Sequence, residues 1–169
     1  MTWIGRLGSW WGAVGVIGVM IFAIVRLTPV ALAARDVGLD TMQWIVAVVF
    51  VALMAYSEGY RGFQLRFSPR TAARVRYLRD QPDVVRSLLA PVFAMGFFHA
   101  NRRTRTIAYL GSMGILGLVL LVRLLAQPWR GIVDLGVVVG LSWGTVSLIL
   151  SIIAALTRTT YPVSPEVGS

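Results

Sequence analysis

Sixteen arginines, seven acidic residues and a single histidine carry most of the ionisable chemistry of this chain. Two constellations could do something with it. The first is Arg123, Arg130 and Asp134, placed around Gln127-Pro128-Trp129. Arg130 and Asp134 are four residues apart, the spacing at which side chains meet on one helix face. Asp134 in a first helical turn is also favoured by the helix dipole. If Arg26 joined them from another apolar segment, the set would line a polar path for an anion or a proton, because ionisable groups inside a bilayer mark pathways.

The second constellation is Glu58 with His99, Arg102 and Arg103. Guanidinium forks match phosphate oxygens, so these residues suit a phosphorylated lipid headgroup, or a simple ion pair that pins a basic loop. His99 could ligate haem or the magnesium of a chlorophyll as a neutral imidazole. One histidine makes neither a bis-histidine haem site nor a zinc site, so no metal is expected and no other cofactor is assigned. The chain has no cysteine, which removes disulfides, thiolate metal sites and cysteine nucleophiles. It has no paired carboxylates within one apolar run, no Walker-type loop and no glycine-rich dinucleotide fingerprint. No catalytic residue is assigned, and the reading leans away from an enzyme.

The elements that must position these residues are apolar. The chain is 57% hydrophobic and 14% charged, with a mean hydropathy of +0.74. Soluble domains carry about 25% charged residues. Four apolar runs, about 8–33, 42–58, 106–125 and 132–156, approach the ~20 residues that cross a bilayer. We therefore expect an all-α integral membrane protein in one domain, with four transmembrane helices arranged as two hairpins. Arg6, the apolar residues 10–25 and Ala31-Leu32-Ala33 also have the outline of a signal peptide. The apolar stretch is long for one, which favours an uncleaved first span.

Local signals set the expected boundaries. Pro29 should kink or end the first helix. Asp40 or Thr41 should cap the second, and Gly59 should end it. Ser68-Pro69 reads as a helix start, giving a helix over 70–80 that Gln81-Pro82 stops. Pro82-Asp83 starts another helix. Its apolar stretch, 87–98, is too short to cross, and reads as an interfacial or re-entrant helix inside a basic segment, 59–105. The Pro/Ser/Thr-rich tail, 159–169, should be poorly ordered unless docked.

Ten of the sixteen arginines lie between Arg61 and Arg105. Arginine excess in short connections marks the cytoplasmic side, so the expected location is the bacterial inner membrane with both termini cytoplasmic. The net charge of +9 sits between apolar runs, which points to anionic lipid headgroups and not to nucleic acid. Arg61, Arg70, Arg74, Arg102 and Arg103 are the expected docking residues for such lipid or for a partner protein.

Three rows of small residues complete the pattern. Gly136, Gly140, Gly144 and Ser147 lie on one face of the last run. Gly8, Gly12, Gly15 and Gly18 mark the first, and Gly111, Gly114 and Gly117 the third. Such faces let helix backbones approach closely where lipid supplies no hydrophobic drive. They exceed what a four-helix bundle needs. The leading expectation is a structural or accessory subunit of a larger membrane assembly. A small oligomeric transporter for an anion or lipid, and an enzyme acting on a phosphorylated lipid, are the other two.

Overall fold

The computed structural model describes residues 3–167, and these form helices, turns and no strand. The elements are α1 (Trp3–Val37), α2 (Thr41–Met54), a π-helical segment (Ala55–Phe67), α3 (Ser68–Asp80), the single turns α4 (Val84–Leu88) and α5 (Ala90–Ala94), α6 (Arg102–Val122) and α7 (Trp129–Thr157). Among the described residues, four helices are long and apolar enough to cross a membrane: Trp3–Val37, the continuous Thr41–Asp80, Arg102–Val122 and Trp129–Thr157.

Pro29 does not end α1, which runs eight residues further. The Thr28 hydroxyl donates to the Ile24 carbonyl at 2.7 Å within this turn. The carbonyl that proline deprives of its donor is the neighbouring one, that of Val25, four residues before it; membrane helices tolerate such an interruption. Asp40 caps α2 as expected. Its carboxylate accepts from the Gln43 N–H at 2.7 Å, while the Gln43 side chain accepts from the Asp40 N–H at 3.1 Å.

The second boundary falls differently. Gly59 does not stop a helix; it is buried within one. A Cβ there would stand 3.0 Å from Cβ and Cγ of Trp143 on α7, so glycine is required by packing and not by a turn. α3 does begin at Ser68 with Pro69 in its first turn, as the sequence signal predicts, but it continues the preceding helix without a break, because Phe67 is already helical. The register instead widens to i→i+5 over Ala55–Phe67, with the Ser68 N–H donating to the Phe63 carbonyl. Pro69 sits where the register changes, the place where its missing N–H and bulky ring cost least. The resulting helix has 40 residues, about 60 Å at 1.5 Å per residue, or roughly twice the hydrocarbon thickness.

α7 is the centre of the bundle. It runs antiparallel to α1: Gly131 meets Ala31 and Ala34, while Leu148, Ile152 and Ala155 share a core with Ala13, Val16 and Met20. It runs parallel to the long helix, because contacts advance together along both. Gly136 abuts Phe50 and Met54, Gly140 abuts Glu58, and Gly144 abuts Phe63, whose Cγ lies 2.5 Å from where a Cβ would stand. Glycines on two sides of α7 thus let both helices close on it. The expected hairpins are therefore not packed pairs. α1 and α2 are joined by Gly38-Leu39-Asp40, yet each packs on α7. α6 and α7 share the turn 123–128 and then separate.

α4 and α5 fill the glycine row of α1. Gly8 faces Ser87, Gly12 faces Ala90 and Gly15 faces Pro91. Phe93 and Leu78 are fully buried behind them, and Trp11 donates to the Leu88 carbonyl at 3.2 Å. Asp83 caps α4 through the Arg86 N–H at 2.9 Å. The 87–98 stretch is thus two single turns laid along the first half of α1.

α6 is the exception. Its first turns touch Phe97 through Tyr109 and the tail through Thr104. Beyond them it packs extensively along no other helix among the described residues. Among the described residues, nothing lies within 4 Å of where a Cβ on Gly111, Gly114 or Gly117 would be.

Candidate functional site

The basic segment resolves into inward and outward arginines. Arg74 is the deepest: 1% exposed, it donates to the Phe93 carbonyl at 2.9 Å and the Glu166 carbonyl at 3.0 Å. Its guanidinium carbon lies 5.0 Å from the centre of the Phe93 ring. Sequence groups Arg74 with the docking residues, but its burial and these contacts turn its guanidinium into the fold. The reason is its position on the α3 face that packs on α5.

Arg76 and Arg79 serve the end of α7. Arg76 donates to the Ala155, Arg158 and Thr159 carbonyls at 3.0, 2.8 and 2.6 Å, and Arg79 to the Leu156 carbonyl at 2.7 Å. Ala155 and Leu156 are among the residues whose carbonyls a helix C-terminus leaves without intrahelical partners. Two cations there also oppose the negative end of the dipole. Asp80 accepts from both arginines at 3.3 and 2.9 Å. Arg86 donates to the Tyr77 hydroxyl at 3.1 Å and to His99 Nδ1 at 3.3 Å.

Glu166, in the tail, ties this end together. Its carbonyl accepts from Arg74 and from the Asn101 N–H. Its carboxylate accepts from the Thr104 hydroxyl and lies 3.7 Å from Arg70. The first turn of α6 carries Arg102, Arg103 and Arg105 and no acid, which opposes the dipole; Glu166 supplies the missing negative charge. Val167 packs on the Leu78–Phe93 cluster. The tail is therefore docked through Val167. Tyr161 on the same strap is half-buried, and burial raises its phenol above the ordinary range, partly offset by the Ser151 hydroxyl and Arg158.

Sequence reasoning did not single out Glu166, Arg76, Arg79, Arg86 or Tyr77. One acid in a tail opposite ten arginines was the available signal for Glu166. The arginine capping of α7 has none, because it pairs side chains with carbonyls about 80 residues away.

Arg61, Arg66, Arg102, Arg103 and Arg105 point outward, and Arg70 is half-exposed. They do not share one level. Phe63 meets Gly144, and Trp143 Nε1 donates to Gln64 Oε1 at 2.8 Å. Arg61 and exposed Glu58 therefore stand beside the middle of α7, an apolar helix. The sequence expectation put everything from residue 59 beyond the span; the unbroken helix carries these charges along its flank instead. A charge at the centre of a crossing helix costs roughly 2.5–3.5 kcal/mol on insertion scales, less if the side chain reaches an interface.

The other expected sites are dispersed. Arg130 and Asp134 do meet, Nε to Oδ2 at 3.8 Å, with Asp134 only 5% exposed. The pair lies within α7, so it does not tie two helices together. Arg26 is exposed on α1 and Arg123 is exposed in the turn after α6; neither is drawn into that pair. His99, also exposed, engages Arg86 and the Phe98 ring, while Glu58 lies against Gly140 and Gly62. Among the described residues no three His, Cys, Asp or Glu side chains gather to hold a metal ion.

The arrangement is a hydrogen-bonded basic platform. Its inward arginines fix the helix ends, and its outward ones offer guanidinium forks to anionic groups. No protein-family profile, curated protein or solved structure matches this chain.

Proposed function

We propose that the protein is a structural or accessory subunit of a larger assembly in the bacterial inner membrane, oriented with both termini and the arginine-rich end in the cytoplasm. The observation that carries this reading is the contrast among the three glycine rows. The row on α7 is filled by Phe50, Met54 and Phe63, and Gly8, Gly12 and Gly15 on α1 by Ser87, Ala90 and Pro91, leaving only Gly18 of that row open; the whole row on α6 faces nothing among the described residues. A glycine face gains from close backbone approach and little from lipid, so α6 is the docking helix for a partner.

Two further features support it. Glu58 and Arg61 on the outer flank of the long helix gain a compensating environment when a partner covers them. Arg70, Arg102 and Arg103 then engage anionic headgroups or partner carboxylates at the cytoplasmic end, each contributing about 1 kcal/mol near an anionic surface. Arg74 holds the frame beneath them.

The test is the protein mass of the species extracted from native membranes in mild detergent, measured by light scattering with the detergent contribution subtracted. The expected result is a mass well above the 18.5 kDa of the chain, with a second polypeptide present in fixed ratio. A homogeneous monomer without a co-purifying protein overturns the reading.

A further inference from the structure

An open groove of about 920 Å³ runs along the free side of α7, from Val139 through Val146, Leu150 and Ala154 to Arg158. The π-helical segment and α3 contribute Gln64 and Pro69, and the tail contributes Tyr161 to Val163. It is separate from the α6 face and from the outward arginines.

The walls are apolar in effect, because several of their polar atoms are already used. The Ser142 hydroxyl donates to the Val138 carbonyl at 2.7 Å. Gln64 accepts from the indole N–H of Trp143, and Ser151 is bonded to Tyr161. At the basic end the chemistry changes. The carbonyl of Arg158 accepts from Arg76, but its exposed guanidinium enters no ion pair or hydrogen bond with the described residues. An open apolar groove that ends on one exposed cation is complementary to a molecule with a hydrocarbon chain and an anionic head. A straight helix laid along α7 would meet the tail at Tyr161 and Val163, whereas a flexible acyl chain ends there on its headgroup.

We propose that this groove binds one anionic phospholipid of the adjoining leaflet, with the acyl chain along Val146, Leu150 and Ala154 and the phosphate on Arg158. The site needs only this chain, so it stands or falls apart from any partner subunit. The probes are dioleoyl phosphatidylglycerol and dioleoyl phosphatidylcholine, titrated separately into the delipidated full-length protein and read by native mass spectrometry. Phosphatidylglycerol is expected to bind about fivefold tighter, the ratio that ~1 kcal/mol per guanidinium near anionic lipid corresponds to.

Arg158→Gln should bring the ratio to about one, and Arg158→Lys should keep it. Ala154→Phe, which fills the trough, should weaken both lipids. Arg35→Gln at the other end of α1 should leave the ratio alone. Soluble sn-glycerol 3-phosphate should not displace bound phosphatidylglycerol, because the head alone lacks the trough. Equal affinity for the two lipids in the unmodified protein, a preference that survives Arg158→Gln, or displacement by the soluble headgroup each overturns the proposal.

Discussion

Arg74→Ala is expected to destabilise the protein by about 2–5 kcal/mol, the range for emptying a fully buried long side chain. The truncation strands the Phe93 and Glu166 carbonyls, which Arg74 serves at 2.9 and 3.0 Å, and each hydrogen bond to a charged group contributes about 1.5–3 kcal/mol. It also removes the cation over the Phe93 ring. α3, α5 and the tail lose their common tie together. In detergent the thermal midpoint should fall by at least roughly 4–8 °C, using about 2–4 °C per kcal/mol for a chain of this size. Arg61→Ala, which removes an exposed side chain, should change stability by within about 0.5 kcal/mol. Equal midpoints for the two variants would contradict the division into inward and outward arginines.

The second large effect separates two glycines that look alike in sequence. Gly144→Leu is expected to cost about 1–3 kcal/mol or more through overpacking, since three Phe63 ring carbons lie 2.5–2.8 Å from where a Cβ would stand. Gly114→Leu meets nothing within 4 Å, and leucine is the better helix former by up to about 1 kcal/mol. The isolated chain should therefore keep or slightly raise its melting temperature. Under the subunit reading the same substitution blocks close approach on α6, and the co-purifying partner should be lost by tenfold or more. Destabilisation by Gly114→Leu, or retention of the partner, would contradict that assignment of the two rows.

Much of this architecture is legible in the residues because it follows from local rules. Long apolar runs set the four candidate crossing helices, Asp40 with Gln43 sets a cap, and Pro82-Asp83 sets a helix start. The misreadings share one cause. Gly59 and Pro29 are helix-ending signals and Ser68-Pro69 a helix-starting one in isolation, and each lies inside a continuous helix because packing outweighs propensity. Trp143 fits only against a glycine at 59, and the widened register gives Pro69 its place. Pairing is also tertiary. The glycine rows announce close approach without saying that α7 would receive two helices and α6 none. At the basic end, charge density is visible in the chain, but the capping of α7 by Arg76 and Arg79, and the clasp of Glu166 on Arg74, join residues about 80–90 positions apart. No spacing rule encodes such contacts.

The central claim is that α6 is the surface by which this protein joins a larger assembly, and site-specific photocrosslinking tests it most directly. A photoreactive residue at Leu118, 46% exposed on α6 in the row that follows Gly111 and Gly114, is compared with one at Val48, 64% exposed on α2. Irradiation of intact membranes is expected to join Leu118 to a second polypeptide in high yield and Val48 to lipid alone. Lipid adducts only at Leu118, in membranes holding the protein at its native level, would contradict the account.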